Sequence, residues 1–177
     1  MKRRLSVVLA LFLVVVMSSL VTSSSGAADR KDSTARPAIR DGQELTVYID
    51  QLNLTGDGSG EIVVDPVQWY TGEEAKAEFA KYEPDAGIDG PPDGYFIVNE
   101  SELLLPLAVA EDAVVIMQVY DRTGDFADVG IQWNERISLS KLDTLLHHTD
   151  IVDVRDFPYH LTIEDGKVTK IVQQYIP

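Results

Sequence analysis

The residues of this chain with chemistry to offer are three histidines, 29 carboxylates and a set of paired aromatics, and it has no cysteine. Ser138-Leu139-Ser140-Lys141 matches S-x-x-K, in which a lysine activates a serine in penicillin-recognising enzymes. The companion S-D-N and K-T-G elements are missing, so a helix cap accounts for these residues better. His147 and His148 are adjacent and would point about 100° apart on a helix, whereas zinc pairs are spaced i, i+4 so that both rings meet one ion. Cations at a helix C-terminus explain them simply. A zinc site joining them to His160 has no spacing in its favour. Asp57, Ser59 and Glu61 alternate in a glycine-rich turn, and Asp85, Asp89 and Asp93 punctuate a long loop. Neither run has the EF-hand glycine at position 6 and glutamate at 12, so solvated turns are expected rather than calcium sites. Glu73 and Glu74 are neighbours and cannot flank a sugar ring as glycosidase carboxylates do. There is no G-x-S-x-G and no phosphate-binding glycine loop. The expectation is a chain with no catalytic residue, no metal and no cofactor.

The aromatics remain. Trp69-Tyr70, Tyr95-Phe96, Trp133, Phe157 and Tyr159 fall at strand ends or beside loops. Trp69, Tyr70, Tyr95 and Tyr159, with Asn99 and His160 beside them, form the candidate binding set. Ring faces supply area, while the amide and imidazole supply direction, for an extracellular peptide, glycan or protein. The competing account makes these rings core residues and barrel-end plugs.

The elements that must position them are mostly strands. Leu45, Val47 and Ile49 alternate with Thr46 and Tyr48, and the phase then shifts to Leu52 and Leu54, which predicts a bulge near Asp50-Gln51. Gly56 to Gly60 is a turn, and Ile62 and Val64 carry the return strand of a hairpin towards Trp69. Pro66 must lie at an edge or end that strand. Thr71-Gly72-Glu73-Glu74 fits a capping box opening a helix with Ala75, Phe79 and Tyr82 on its apolar stripe, closed by Pro84. Residues 83–94 form a loop, and Tyr95 to Val98 a strand. Leu103 to Val109 and Ala113 to Tyr120 read as two buried strands with a turn at Glu111-Asp112, and Pro106 marks an edge or bend. A loop over 121–130 leads to a short strand at Ile131 to Trp133. Ser140 to Asp143 reads as the cap of a second helix with Leu142, Leu145 and Leu146 inward and His147 and His148 at its end. Tyr159, Leu161 and Ile163 alternate, Asp165-Gly166 signals a type I′ turn, and Val168 to Ile176 returns. The fold expected is mainly β (α+β): a small, strongly curved sheet or OB-like barrel of six to seven strands with two short helices.

Upstream of this domain, Lys2, Arg3 and Arg4 precede an apolar run from Leu5 to Val21, followed by small residues to Ala28. These are the three parts of a secretory signal. As a helix the run would span about 26 Å, short of a roughly 30 Å hydrocarbon core, which favours a cleaved signal over a retained anchor. Residues 1–28 are read as signal peptide, 29–43 as a polar flexible linker, and 44–177 as one β-rich domain. The whole chain carries a net charge of −14, and loss of the basic start makes the exported part more acidic still. Such a surface excludes nucleic acid as a partner and disfavours adsorption on anionic lipid. The expected state is secreted, off the membrane after cleavage, and monomeric. The missing cysteines mean that burial and hydrogen bonding hold the fold without disulfides, as is common in exported bacterial proteins.

Three blocks have a family look: Trp69-Tyr70-Thr71-Gly72-Glu73-Glu74-Ala75, Tyr95-Phe96-Ile97-Val98-Asn99, and the stretch from Pro158-Tyr159-His160-Leu161-Thr162 through Glu164-Asp165-Gly166-Lys167-Val168-Thr169, before the closing Gln174-Tyr175-Ile176-Pro177. In them the chain resembles small secreted or lipid-anchored bacterial proteins, common in Gram-positive groups, that carry W-x-T-G-E-E-A, Y-x-I-x-N and a terminal P-Y-x-L-T-x-E-D-G-x-V. The resemblance spans most of residues 44–177. It implies an extracytoplasmic domain and brings no catalytic residue with it. This chain lacks the anchor cysteine of the lipid-anchored members. The function expected from all this is a non-catalytic secreted binding domain. An acidic inhibitor or partner of a basic exported protein, and an extracellular hydrolase with an unrecognised site, are the alternatives.

Overall fold

A computed structural model describes residues 41–101 and 103–177. The expected signal peptide, and the linker before Asp41, lie outside the described residues. The linker's last residues already belong to the domain: Gly42 N–H donates to Ile163 O at 2.8 Å, and Gly166 N–H to the Asp41 carboxylate at 3.3 Å.

Strand β1 (Glu44–Leu54) buries Val47 and Ile49, changes register between Ile49 and Gln51, and then buries Leu52. The bulge predicted from the phase shift is what lets one long strand keep its apolar side inward while it curves. Strand β2 (Gly60–Pro66) runs antiparallel to it and turns Ile62 and Val64 inward. Pro66 ends the strand, as a residue without an N–H should. Strand β5 (Leu105–Met117) pairs with β2 through Leu105–Val109, then with β8 (Lys167–Gln173) in parallel, and with the short β6 (Glu135–Ile137) at its far end. Strand β7 (Tyr159–Glu164) lies between β8 and β1. The order β2-β1-β7-β8-β5, closed by the β2–β5 pairing, is a five-stranded barrel of OB-like topology, with β6 added outside it.

Two expectations are corrected along β5. Glu111-Asp112 is no turn between two strands; it lies in one continuous strand whose pairing with β8 shifts between Val109 and Val114. The barrel needs a strand long enough to serve two neighbours, and the irregularity bends it from one to the other. The short strand forms at Glu135–Ile137 and not at Ile131 to Trp133.

Helix α2 (Leu139–Leu146) presses Leu139, Leu142, Leu145 and Leu146 into the barrel core. Its cap is Ser138, whose Oγ accepts from Lys141 N at 3.1 Å; the expected cap Ser140 lies inside the helix. The final hairpin turns through Asp165 (φ 49) and Gly166 (φ 72), the two positive angles that a type I′ turn requires.

Past Met117 the backbone continuing from β5 has no strand beside it on the β8 side, and a buried glutamine substitutes for one. Gln173 Oε1 accepts from Gln118 N at 2.8 Å and Val119 N at 2.9 Å, while its Nε2 donates to Val119 O at 3.0 Å. Nearby, Tyr120 donates to Glu135 at 2.7 Å and Arg122 pairs with the same carboxylate. Burial opposes the Glu135 charge, but these two donors hold its carboxyl below the usual range. Burial and the Glu135 contact push the Tyr120 phenol up to about 12.

Between β2 and β5 the chain inserts a flap: β3 (Gln68–Thr71), helix α1 (Gly72–Tyr82) and β4 (Tyr95–Val98). The β3–β4 pair forms its own two-stranded sheet, and α1 packs on it through Ala75 and Phe79. The capping box expected at Thr71 does not form. Gly72 has φ +59, outside the right-handed helical region, so Thr71 stands too far back for its hydroxyl to reach the first turn.

Candidate functional site

In the flap, Trp69 pairs with Ile97 and Thr71 with Tyr95, so Trp69 and Tyr95 are diagonal neighbours on one face of the hairpin. Their rings stack with centroids 4.5 Å apart and planes 10° from parallel. The opposite face carries Tyr70 and Phe96, and Phe96 meets Phe79 of α1 edge-on at 5.5 Å. The flap therefore has a helix side and an aromatic side. The aromatic side reaches the barrel wall, where Trp69 meets the His160 ring edge-on at 6.0 Å.

The wall at that point is the outward phase of β1 and β7. Thr46 pairs with His160, and its hydroxyl lies 3.0 Å from Nδ1; Nε2 lies 3.2 Å from Gln174 Oε1. The Gln174 amide nitrogen is bound to Tyr175 O at 2.8 Å, so its oxygen faces the ring. The Thr46 hydroxyl and the Gln174 amide oxygen thus flank the two ring nitrogens, and Glu44 Oε1 lies 3.6 Å from Nδ1.

Tyr48, two residues along β1, pairs with Asp65 of β2. Asp65 Oδ2 accepts from Asn99 Nδ2 at 2.6 Å, which ties the end of the flap to the barrel. Asp65 Oδ1 is covered and has no hydrogen-bond partner. Among the described residues no lysine or arginine forms an ion pair with Asp65. The Tyr48 phenol is raised chiefly by burial, and then by the fields of Tyr95, Asp156 and Asp65, which converge on it. Burial, and then Asp93, raises the Tyr95 phenol as well.

Of the six candidate residues, the structure thus gathers Trp69, Tyr95, Asn99 and His160 at one junction. Tyr70 lies on the helix side of the flap, its hydroxyl on Gln68. Tyr159 points the other way from its neighbour His160: it is fully buried in the barrel core, with its hydroxyl donating to Val154 O at 2.9 Å. Thr46, Tyr48, Asp65 and Gln174 were not singled out from the sequence. The outward phase of the Leu45–Ile49 alternation was the signal for Thr46 and Tyr48; Asp65 and Gln174 had none.

The other candidates serve local structure. Ser138 and Lys141 meet only through the helix cap. His147 and His148 turn Nδ1 to the carbonyls of Asp143 and Thr144, each at 2.8 Å, at the end of α2. Asp57 closes its turn by accepting from the Thr55 hydroxyl and from the hydroxyl and N–H of Ser59, which hold its carboxyl at about 2. Among the described residues, no three His, Asp or Glu side chains gather as a metal site requires. No family model, curated protein or solved structure matches this chain.

Proposed function

We propose that this is an exported, non-catalytic binding domain that takes an extracellular peptide or glycan at the junction of flap and barrel. The observation that carries this reading is the stacked Trp69–Tyr95 pair, half-exposed and set against His160 and Asn99. An aromatic platform with a few directional polar groups at its edge is how a small domain binds such ligands. Outer walls of OB-like barrels serve as binding surfaces elsewhere, which is a supporting analogy of fold alone. The basic N-terminus followed by an apolar run supports export. The test uses Trp69→Ala and Tyr95→Ala, titrated with a random decapeptide pool and a chitin-oligosaccharide mixture, alongside circular dichroism and melting. Loss of a titration seen with the parent chain, with folding retained, supports the reading. If the parent titrates with neither, or if the substitutions only unfold the domain, the rings are core and the reading fails.

A further inference from the structure

Asp65 is the anomaly of this junction. A covered carboxylate is costly unless cationic or hydrogen-bonding partners surround it. Asp65 has one amide, Asn99, on Oδ2 and nothing on Oδ1. Other carboxylates of the domain that lie near a basic group are paired: Glu135 with Arg122, Asp153 with Arg155, Glu73 with Lys76. Beside Asp65 stands Tyr48, its pairing partner on β1, whose phenol also feels Tyr95 and Asp156, and Tyr95 carries the stacked Trp69 ring.

Negative potential and aromatic faces together select one chemistry. Ring faces carry a negative quadrupole that attracts ammonium and guanidinium groups, and a carboxylate beside them completes a cation site. The flap meets the barrel at Asp65 through the exposed Asn99. Its two strands and helix pack on one another; Trp69 on His160, Asn99 on Asp65 and, at its entry, Val67 N–H on Thr46 O at 2.9 Å tie it to the barrel. A donor from a ligand can then enter where Asn99 now holds the flap down.

We infer that the flap–barrel junction binds a cationic side chain, a lysine or arginine of a basic peptide, with Asp65 as its counter-ion and Tyr48, Trp69 and Tyr95 as its aromatic wall. This rests on the binding reading above and narrows its ligand. The strongly acidic charge of the chain, −14 overall, draws the same class of partner from a distance.

The test uses the chain with Trp133→Phe, which leaves Trp69 as the one tryptophan. Trp69 emission is followed during titration with blocked trilysine and triarginine peptides and with a blocked trinorleucine peptide as the uncharged control. The basic peptides should give a saturable change that the control does not, weaken at least tenfold between 50 and 500 mM salt, and weaken at least tenfold in Asp65→Asn. Asparagine still accepts from Asn99, so this variant should melt at or above the parent temperature, which excludes unfolding as the cause. Equal titration by trinorleucine, or an unchanged affinity in Asp65→Asn, overturns the cation inference and leaves the binding reading standing. No saturable change with either basic peptide also overturns the inference; the decapeptide and glycan titrations then decide the binding reading separately.

Discussion

Replacing Gln173 with leucine keeps the side-chain volume and removes three buried hydrogen bonds. Two amides, Gln118 N–H and Val119 N–H, lose the Oε1 they share, and Val119 O loses Nε2. Gln173 is 1 % exposed, so water cannot replace these bonds without opening the end of β5. Each orphaned backbone group costs about 1–3 kcal/mol. Partial opening of the Gln118–Val119 segment, and the apolar gain of a buried leucine, offset some of the total. The expected loss is about 3–5 kcal/mol, a large share of the roughly 5–15 kcal/mol that holds a domain of this size. At roughly 3–5 °C per kcal/mol, melting falls by roughly 10–20 °C. Urea unfolding of parent and variant, followed by circular dichroism, gives the free energy directly, and an unchanged slope would show that both unfold in the same way. A loss below about 1 kcal/mol would refute the claim that this glutamine stands in for a missing strand.

Asp57→Ala should flatten the acid limb of stability. A carboxyl held at about 2 instead of its ordinary 3.8 stabilises the fold above pH 3.8, and that contribution is lost as pH falls through about 2; melting measured from pH 5 to pH 2 shows whether the parent loses more than the variant over that window. Gly166→Ala should cost about 1–2 kcal/mol, since φ +72 strains any side chain although nothing stands within contact of the new methyl; a neutral result by urea unfolding would contradict the turn assignment. Ser138→Ala should cost about 1 kcal/mol through the lost cap of α2, whereas Ser140→Ala should change stability by less than about 0.5 kcal/mol. If the Ser140 change is the more damaging, the helix starts where the sequence pattern suggested.

Local signals made much of the fold legible. Alternation with an Asp-Gly pair defines the final hairpin because a two-residue loop and its strands are contiguous in sequence. The phase slip after Ile49 reveals the β1 bulge for the same reason. Glu111-Asp112 misleads because two charged residues between apolar runs look like a turn, and only barrel closure, a property of the whole chain, makes them a bend in one strand. Thr71 misleads because the capping pattern takes no account of the backbone angle at Gly72. At the candidate site, aromatic composition pointed to Trp69 and Tyr95, but their polar surroundings come from β1, β2 and β7, brought together by pairings across the sequence. Tyr159 was readable and misassigned. It shares the apolar phase of Leu161 and Ile163, so alternation alone places it inside while His160 faces out.

On the function proposed above, the flap–barrel junction is where this domain meets its ligand. The most direct measurement is an amide chemical-shift map of the isotopically labelled protein during titration with the blocked trilysine peptide. Shifts concentrated at Thr46, Tyr48, Asp65, Trp69, Tyr95, Asn99 and His160, with the rest of the barrel unmoved, are the predicted result. Shifts spread evenly over the acidic surface, or confined to loops away from these residues, would contradict it.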